Sequence, residues 1–187
     1  MRSIPEIKIQ NIVASTRLAD KLDLDAIGLL LEGAEYEPEQ FPGLIYRMKD
    51  PKAAILLFRS GKANCAGGRD LESVQRCIFQ VQEQLTSAGI EVYQKEDVEI
   101  KIQNIVAVTD LGRNLNLNSI AITLGLEKVE YEPEQFPGLV FRMDDPKVAL
   151  LIFDSGKVVC AGAKKVEELE EAIRKLIEEL TNAGYLP

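Results

Sequence analysis

The 187 residues include no histidine. That absence removes the commonest general base, every Ser-His or Cys-His nucleophile pair and every zinc site built on imidazole. Cysteine is scarce: Cys65, Cys77 and Cys160 lie far apart and form no C-x-x-C pair. An odd count without secretory features reads as reduced thiols. No stretch approaches the ~20 apolar residues of a membrane span. The opening MRSIPEIKIQNIV holds no apolar leader, so a soluble, cytoplasmic protein is the expectation. Positive charge is also short, with 22 Lys and Arg against 30 Asp and Glu and a formal net charge of −8. That balance counts against a polycationic nucleic-acid binder. No cofactor and no metal are called for by these residue types.

What is present is a core-forming composition, 46% hydrophobic and 28% charged, and a long internal duplication. EYEPEQFPGL occupies Glu35–Leu44 and returns unchanged at Glu130–Leu139. IKIQNIVA stands at Ile7–Ala14 and again at Ile100–Ala107, an offset of 93 that becomes 95 at the decapeptide. A two-residue insertion near Gly125–Val129 accounts for the change. The second register continues through DPK (Asp50, Asp145), SGK (Ser60, Ser155) and CAG (Cys65, Cys160). A unit of roughly ninety residues is too long for a solenoid repeat. The expectation is a duplicated α+β unit, 1–94 and 95–187, forming a pseudo-twofold pair.

Within a unit the periods are legible. IKIQNIVA alternates, with Ile9, Asn11 and Val13 on one face and Lys8, Gln10 and Ile12 on the other, which is a strand pattern. LDLDAIGLLL (Leu22–Leu31) reads as a short helix. GLIYRM, AAILLF and KANCAG read as three more strands, parted by KDPK and by RSGK, whose Ser-Gly makes a tight hairpin. A long helix closes the unit. Its apolar positions are Leu71, Val74, Ile78, Val81 and Leu85, then Val166, Leu169, Ile173, Leu176 and Leu180, a spacing that gives one buried stripe.

The third repeated strand is apolar on both sides. Leu56 and Phe58 share one parity and Ile55 and Leu57 the other, and Leu151 and Phe153 repeat the pattern. Helices can cover only one side of the sheet, and no residues remain for a second layer. The other side is then a binding surface.

At these residues the chain resembles the TATA-box-binding protein family of general transcription initiation factors. QNIV opening each half, YEPEQFPGL followed by I/V, Y/F, R and M, LLF or LIF before SGK, and CAG before a long helix are that family's landmarks, in order and over nearly the whole chain. No low-complexity N-terminal extension stands here, so the resemblance is to the archaeal type. It implies a saddle of two repeats: a curved ten-stranded antiparallel sheet with four helices on the convex face. The concave face would bind an A·T-rich TATA element in the minor groove of double-stranded DNA and kink it, the family being the usual example of that mode.

Carried over position by position, the resemblance implies intercalation by Phe41 and Phe58 and by Phe136 and Phe153. A Pro-Gly corner after Phe41 and Phe136 would supply a stiff mount. Phe79 and Phe141 read as packing. Base-edge and minor-groove contacts fall on Asn11, Val13, Leu56, Ala66, Asn104, Val106, Leu151, Val159 and Ala161. An amide suits adenine N3 and thymine O2, which are acceptors only, while the guanine amino group would intrude on an apolar surface. Two departures stand out. Ala66 and Ala161 replace the family's usual threonine, and Asn64 stands where the second half keeps Val159, so specificity would rest more on shape and bendability. DNA phosphates would be met by Arg47, Lys62, Arg69, Arg142, Lys157 and Lys164, which recur at matching positions. The excess acid collects elsewhere, as in EELEEAIRKLIEEL (Glu167–Leu180).

The resemblance also implies transcription factor B as a partner, received by Glu132, Glu134 and Gln135, and with it the RNA polymerase pre-initiation complex. The first half repeats those residues as Glu37, Glu39 and Gln40, so polarity must come from other differences. The halves carry net charges of −2 and −6, Arg59 matches Asp154 and Arg17 matches Asp110. DNA binding alone is then expected to orient the protein weakly. A homodimer of the free protein through its apolar face stays open. So does a regulatory minor-groove binder with relaxed TATA preference. Catalysis by paired carboxylates finds no support, since the acidic pairs lie on helix faces or loops. Cys65 and Cys160 share the buried parity and read as core thiols. SGK lacks the glycine that a phosphate loop needs five residues earlier.

Overall fold

A computed structural model describes residues 3–187. In the first half β1 (Lys8–Arg17) is followed by α1 (Leu24–Leu30), β2 (Leu44–Lys49), β3 (Lys52–Leu57), β4 (Lys62–Gly68) and α2 (Leu71–Ser87). The second half repeats the order as β5 (Lys101–Asp110), α3 (Leu117–Leu124), β6 (Val129–Glu130), β7 (Leu139–Asp144), β8 (Lys147–Ile152), β9 (Lys157–Ala163) and α4 (Val166–Asn182). A single 3-10 turn, Lys95–Asp97, lies between them. The class is α+β, as the repeat pattern predicts.

Strand pairing is antiparallel in both halves. In the first, β2 pairs β3, β3 pairs β4 and β4 pairs β1. In the second, β9 pairs β5 and β8, while β7 pairs β8 and β6. Nine strands form among the described residues, against the ten expected. The missing one would be the first-half counterpart of β6. Only an isolated bridge, Glu35 to Ile45, stands at that place. Val129 is buried and pairs with Phe141, whereas the matching Ala34 offers less side chain to pack and lower strand propensity.

Alternation decides which side is covered. On β3, Ala53, Ile55 and Leu57 are buried while Ala54 and Leu56 stay half-exposed, and β8 repeats this with Val148, Leu150 and Ile152 against Ala149 and Leu151. The buried side receives the helices: α2 packs on β4 and β3, α4 on β9, and α3 on β6 and β7. The helical stripes start one turn later than the spacing predicts. Leu71 is 52% exposed and Val166 37%. The first close approach of α2 comes at Val74, which lies so near Gly68 that a β-carbon there would sit 2.8 Å from Val74 Cγ2. Cys77 and Ala172 join the buried stripes.

Contacts divide the chain into two compact units: Asn11–Gln103, and Asn104–Pro187 with the N-terminal residues through Gln10. Each unit closes on the segment leading into the other repeat. In the first, buried Thr16 Oγ1 donates to Glu99 O at 2.6 Å, and in the second buried Thr109 Oγ1 donates to Glu6 O at 2.8 Å. Both hydroxyls are thereby satisfied where an orphan would be costly.

Helix starts follow residue chemistry. Asp23, Asp70 and Asn116 accept from the backbone N–H of Ala26, Ser73 and Ser119. At α4 the cap position is Lys165, with no side-chain bond. The Asp70 carboxyl is held below the usual aspartate range, chiefly by the Ser73 backbone N–H. Its capping contribution is therefore complete above the ordinary aspartate pKa and is lost as pH falls through the depressed one. Asp70→Ala should cost about 1 kcal/mol at neutral pH and less in acid, and Lys165→Asp should stabilise by a similar amount. Denaturant titration at both pH values checks this. The same assay should separate the two sides of β3: Leu57→Ala costs about 2–5 kcal/mol, and Leu56→Ala much less.

Candidate nucleic-acid interface

The uncovered side of each half is built by three strands in fixed register. In the first half Asn11, Val13 and Ser15 of β1, Leu56 and Ala54 of β3, and Asn64 and Ala66 of β4 all point there, each half-exposed. Leu56 pairs with Asn64, Ala54 with Ala66 and Ser15 with Asn64. In the second half Asn104, Val106, Val108, Ala149, Leu151, Val159 and Ala161 repeat the arrangement. Ile45 and Val140 extend it by pairing with Leu56 and Leu151. Those two, together with Ser15, Val108, Ala54 and Ala149, were not singled out from sequence, although strand parity alone would have found them.

The two asparagines are oriented by the backbone. Asn11 Oδ1 accepts from Gly67 N at 2.6 Å, and Asn104 Oδ1 accepts from Gly162 N at 2.6 Å. Each bond spans a register shift, between Ile12 and Ala14 in one half and Ile105 and Ala107 in the other. The shift leaves a strand N–H without a ladder partner, and the side chain supplies one. Gly67 and Gly162 both sit at φ 101, a conformation that glycine adopts at little cost. With the oxygen engaged by the backbone, each carboxamide keeps both N–H groups free to donate. An apolar face carrying amide donors fits a partner surface that offers acceptors and no donors.

The four phenylalanines form two matching pairs. Phe41 and Phe58 lie edge to face with centroids 6.1 Å apart at 69°, and Phe136 and Phe153 at 5.9 Å and 72°. Phe41 is 37% exposed and Phe136 40%. The chain bends at both Pro-Gly pairs after the first ring, and a turn before it adds to the mount. A backbone bond from Phe41 N to Glu37 O at 3.0 Å, matched by Phe136 N to Glu132 O at 2.9 Å, winds the EPEQF segment into a turn that carries the ring. The glycine acts as a floor: a β-carbon on Gly43 would lie 2.9 Å from Cε1 of both Phe41 and Phe58, and Gly138 repeats this with Phe136 and Phe153. Phe141 is buried, and Phe79 lies 4.6 Å beneath Lys95 Nζ.

The charged residues divide into engaged and free groups. Arg47 pairs with Glu35 at 3.1 Å and Arg142 with Glu130 at 3.5 Å, all four exposed. Lys62, Arg69, Lys157 and Lys164 are exposed and have no side-chain partner among the described residues. Glu132, Glu134 and Gln135 stand exposed on the turn before Phe136, as do Glu37, Glu39 and Gln40 before Phe41. The halves differ beside those turns. Arg59 donates to Asp25 at 3.1 Å and to Tyr36 OH at 2.8 Å, and its guanidinium lies 5.8 Å from the Tyr36 ring centroid. The matching residues are Asp154, Asn118 and Tyr131, so the second half has no such cation. Arg17, though exposed, is engaged locally, donating to the carbonyls of Ala19, Asp20 and Ser60.

The described cysteines form no disulfide. All three thiols are buried, and burial, followed by the Glu168 charge, pushes Cys160 up to about 12. A hydrogen bond with Cys65, then burial, raises Cys77 as well. No group of His, Cys, Asp or Glu among the described residues could hold a metal ion. No helix among them is long and apolar enough to cross a membrane.

A repeated α+β unit with one apolar, amide-bearing face and a paired ring at its tip has known counterparts. The family model described as "Transcription factor TFIID (or TATA-binding protein, TBP)" matches residues 6–88 and 99–183. The chain is 59% identical over 181 residues to the TATA-box-binding protein of Thermoplasma volcanium, covering 97% of each. It is 58% identical over 186 residues to that of Picrophilus torridus, covering 100% of each. Its structure is similar to the solved Methanococcus jannaschii TBP, with a TM-score of 0.87 and 52% identity over 95% of this chain and 99% of that one. The chain belongs to the TATA-binding protein family. That family consists of transcription factors, which leaves the catalytic reading without a basis.

The glycine floor is testable without any ligand. Gly138→Ala should displace the Phe136 and Phe153 ring resonances in NMR spectra while the far-ultraviolet circular dichroism stays unchanged.

Proposed function

We propose that this protein is a general transcription initiation factor that binds the A·T-rich TATA element through the uncovered faces of its two halves. The reading is carried by one observation above all. In both halves an apolar sheet face carries an amide whose oxygen is engaged by the backbone, leaving its NH₂ to donate to a surface of acceptors. The minor groove of A·T pairs is such a surface, with adenine N3 and thymine O2, whereas guanine adds a donor that meets only apolar side chains over most of this face. Each half, 1–94 and 95–187, reads one end of the element.

Phe41 with Phe58, and Phe136 with Phe153, act as wedges that unstack a base step at each end and kink the duplex. Val13, Leu56 and Ala66, with Val106, Leu151, Val159 and Ala161, line the base edges. Lys62, Arg69, Lys157 and Lys164 meet phosphates, joined by Arg47 and Arg142 once those release Glu35 and Glu130. Such contacts fix register without reading sequence. The acid that makes the chain negative includes the exposed Glu167, Glu170, Glu178 and Glu179 of α4, so one side can be basic on a protein that is acidic in total. The protein works in the cytoplasm on nucleoid DNA.

Transcription factor B then docks on the second half through Glu132, Glu134 and Gln135 and brings RNA polymerase. What separates this end from its copy is the cation. Arg59 and its partners neutralise part of the first turn's surroundings, whereas Asp154 adds to the acid of the second. A basic partner surface is favoured at the second end.

Gel shifts with an A·T-rich duplex and G·C-substituted versions test the reading. Each G·C pair beneath the apolar face of the second half should cost about 1–3 kcal/mol. Phe58→Ala and Phe153→Ala should lose DNA bending, read by fluorescence transfer between the duplex ends, while the fold is retained. Intact bending in both variants rules out the wedge role. Factor B should supershift the wild-type complex but not the Glu132→Ala, Glu134→Ala double variant.

A further inference from the structure

The two uncovered faces are close copies, and their largest chemical difference is one cross-strand pair. In the first half Ser15 lies opposite Asn64, and in the second Val108 lies opposite Val159. Both pairs sit beside the matching leucines, Leu56 and Leu151. A polar pair thus replaces an apolar one at the same depth in one half only.

The amide of Asn64 differs from the other two amides of these faces. The oxygens of Asn11 and Asn104 are engaged by Gly67 and Gly162. Asn64 is half-exposed and has no hydrogen-bond partner among the described residues. It therefore offers an acceptor as well as a donor. Ser15 Oγ accepts from Gln103 Nε2 at 2.8 Å, which leaves its own hydrogen to donate. This corner of the first half carries both kinds of group, and the second half carries neither.

We propose that Asn64 is a specificity residue that lets the first half accept a G·C pair where the second half rejects one. Guanine differs from adenine in the minor groove by its N2 amino group, a donor. Beneath Val108 and Val159 that donor loses its water and finds no acceptor, which is costly. Beneath Asn64 it meets Oδ1. At an A·T pair the same side chain turns its NH₂ towards adenine N3 or thymine O2, so A·T binding is kept. A G·C pair at one end of an element then also sets which way round the protein lies. The inference rests on the minor-groove reading above and adds its asymmetry.

The test uses a palindromic A·T duplex carrying G·C either at one position or at that position and its mirror image, each mirrored pair taken in turn. The protein can turn to place a single G·C beneath Asn64, so at one position wild type should bind the singly substituted duplex within about threefold of the parent. The doubly substituted duplex should bind about tenfold or more weakly. Asn64→Val should lose that tolerance and bind the singly substituted duplex about tenfold more weakly than it binds the parent duplex. Val159→Asn should gain it and bind the doubly substituted duplex nearly as well as the parent. Circular dichroism confirms that both variants fold. Equal losses for wild type and Asn64→Val on every singly substituted duplex would overturn the proposal. Failure of wild type to bind the parent duplex would instead overturn the minor-groove reading, and this proposal with it.

Discussion

A β-strand sends alternate side chains to opposite sides, and in β3 and β8 both sets are apolar. The molecule depends on that constraint. Ile55 and Leu57, with Leu150 and Ile152, are sealed beneath helices and hold each half together. Leu56 and Leu151, half-exposed on the other side, contribute little to that core and are maintained as surface. The same strand thus secures stability with one parity and presents a contact surface with the other. Because the register of β1, β3 and β4 is set by the buried residues, a one-residue slip would exchange the two sides and abolish fold and face together.

On that surface a few polar atoms are held in fixed orientation. A backbone N–H released by the strand irregularity fixes the orientation of Asn11, and its copy fixes Asn104. The consequence reaches beyond geometry, because an amide whose oxygen already accepts one bond keeps its whole NH₂ for donation. The paired rings at the tips are held by comparable means. A turn closed on Glu37 or Glu132 carries one ring, the strand end carries the other, and a glycine lets both approach the backbone. These are rigid mounts made of local contacts.

Much of this was legible in the residues. The exact recurrence of EYEPEQFPGL gave the two-fold organisation, alternation gave the strands, and the apolar parity of Leu56 and Phe58 pointed to an uncovered side. The remainder depended on distances that a linear pattern does not carry. Gly43 reads as a turn glycine beside a proline, yet its lack of a side chain matters because two rings lie over it. The partners of Asn11 and Asn104 lie 56 and 58 residues away, across a shift in register that alternation cannot reveal. The first turn of α2 looks apolar enough to be buried, but the sheet is reached only at Val74. Arg59 and Asp154 were visible as a charge reversal, whereas the contacts of Arg59 with Asp25 and Tyr36 needed coordinates.

The central claim is that recognition takes place in the minor groove. Replacing the A·T pairs of a bound duplex by inosine·cytosine pairs tests it most directly, since inosine lacks the guanine amino group. Such pairs keep the minor-groove acceptors of A·T and present the major groove of G·C. Binding and bending close to those of the A·T duplex are the predicted result. Loss of binding to the same degree as with guanine·cytosine would contradict the account.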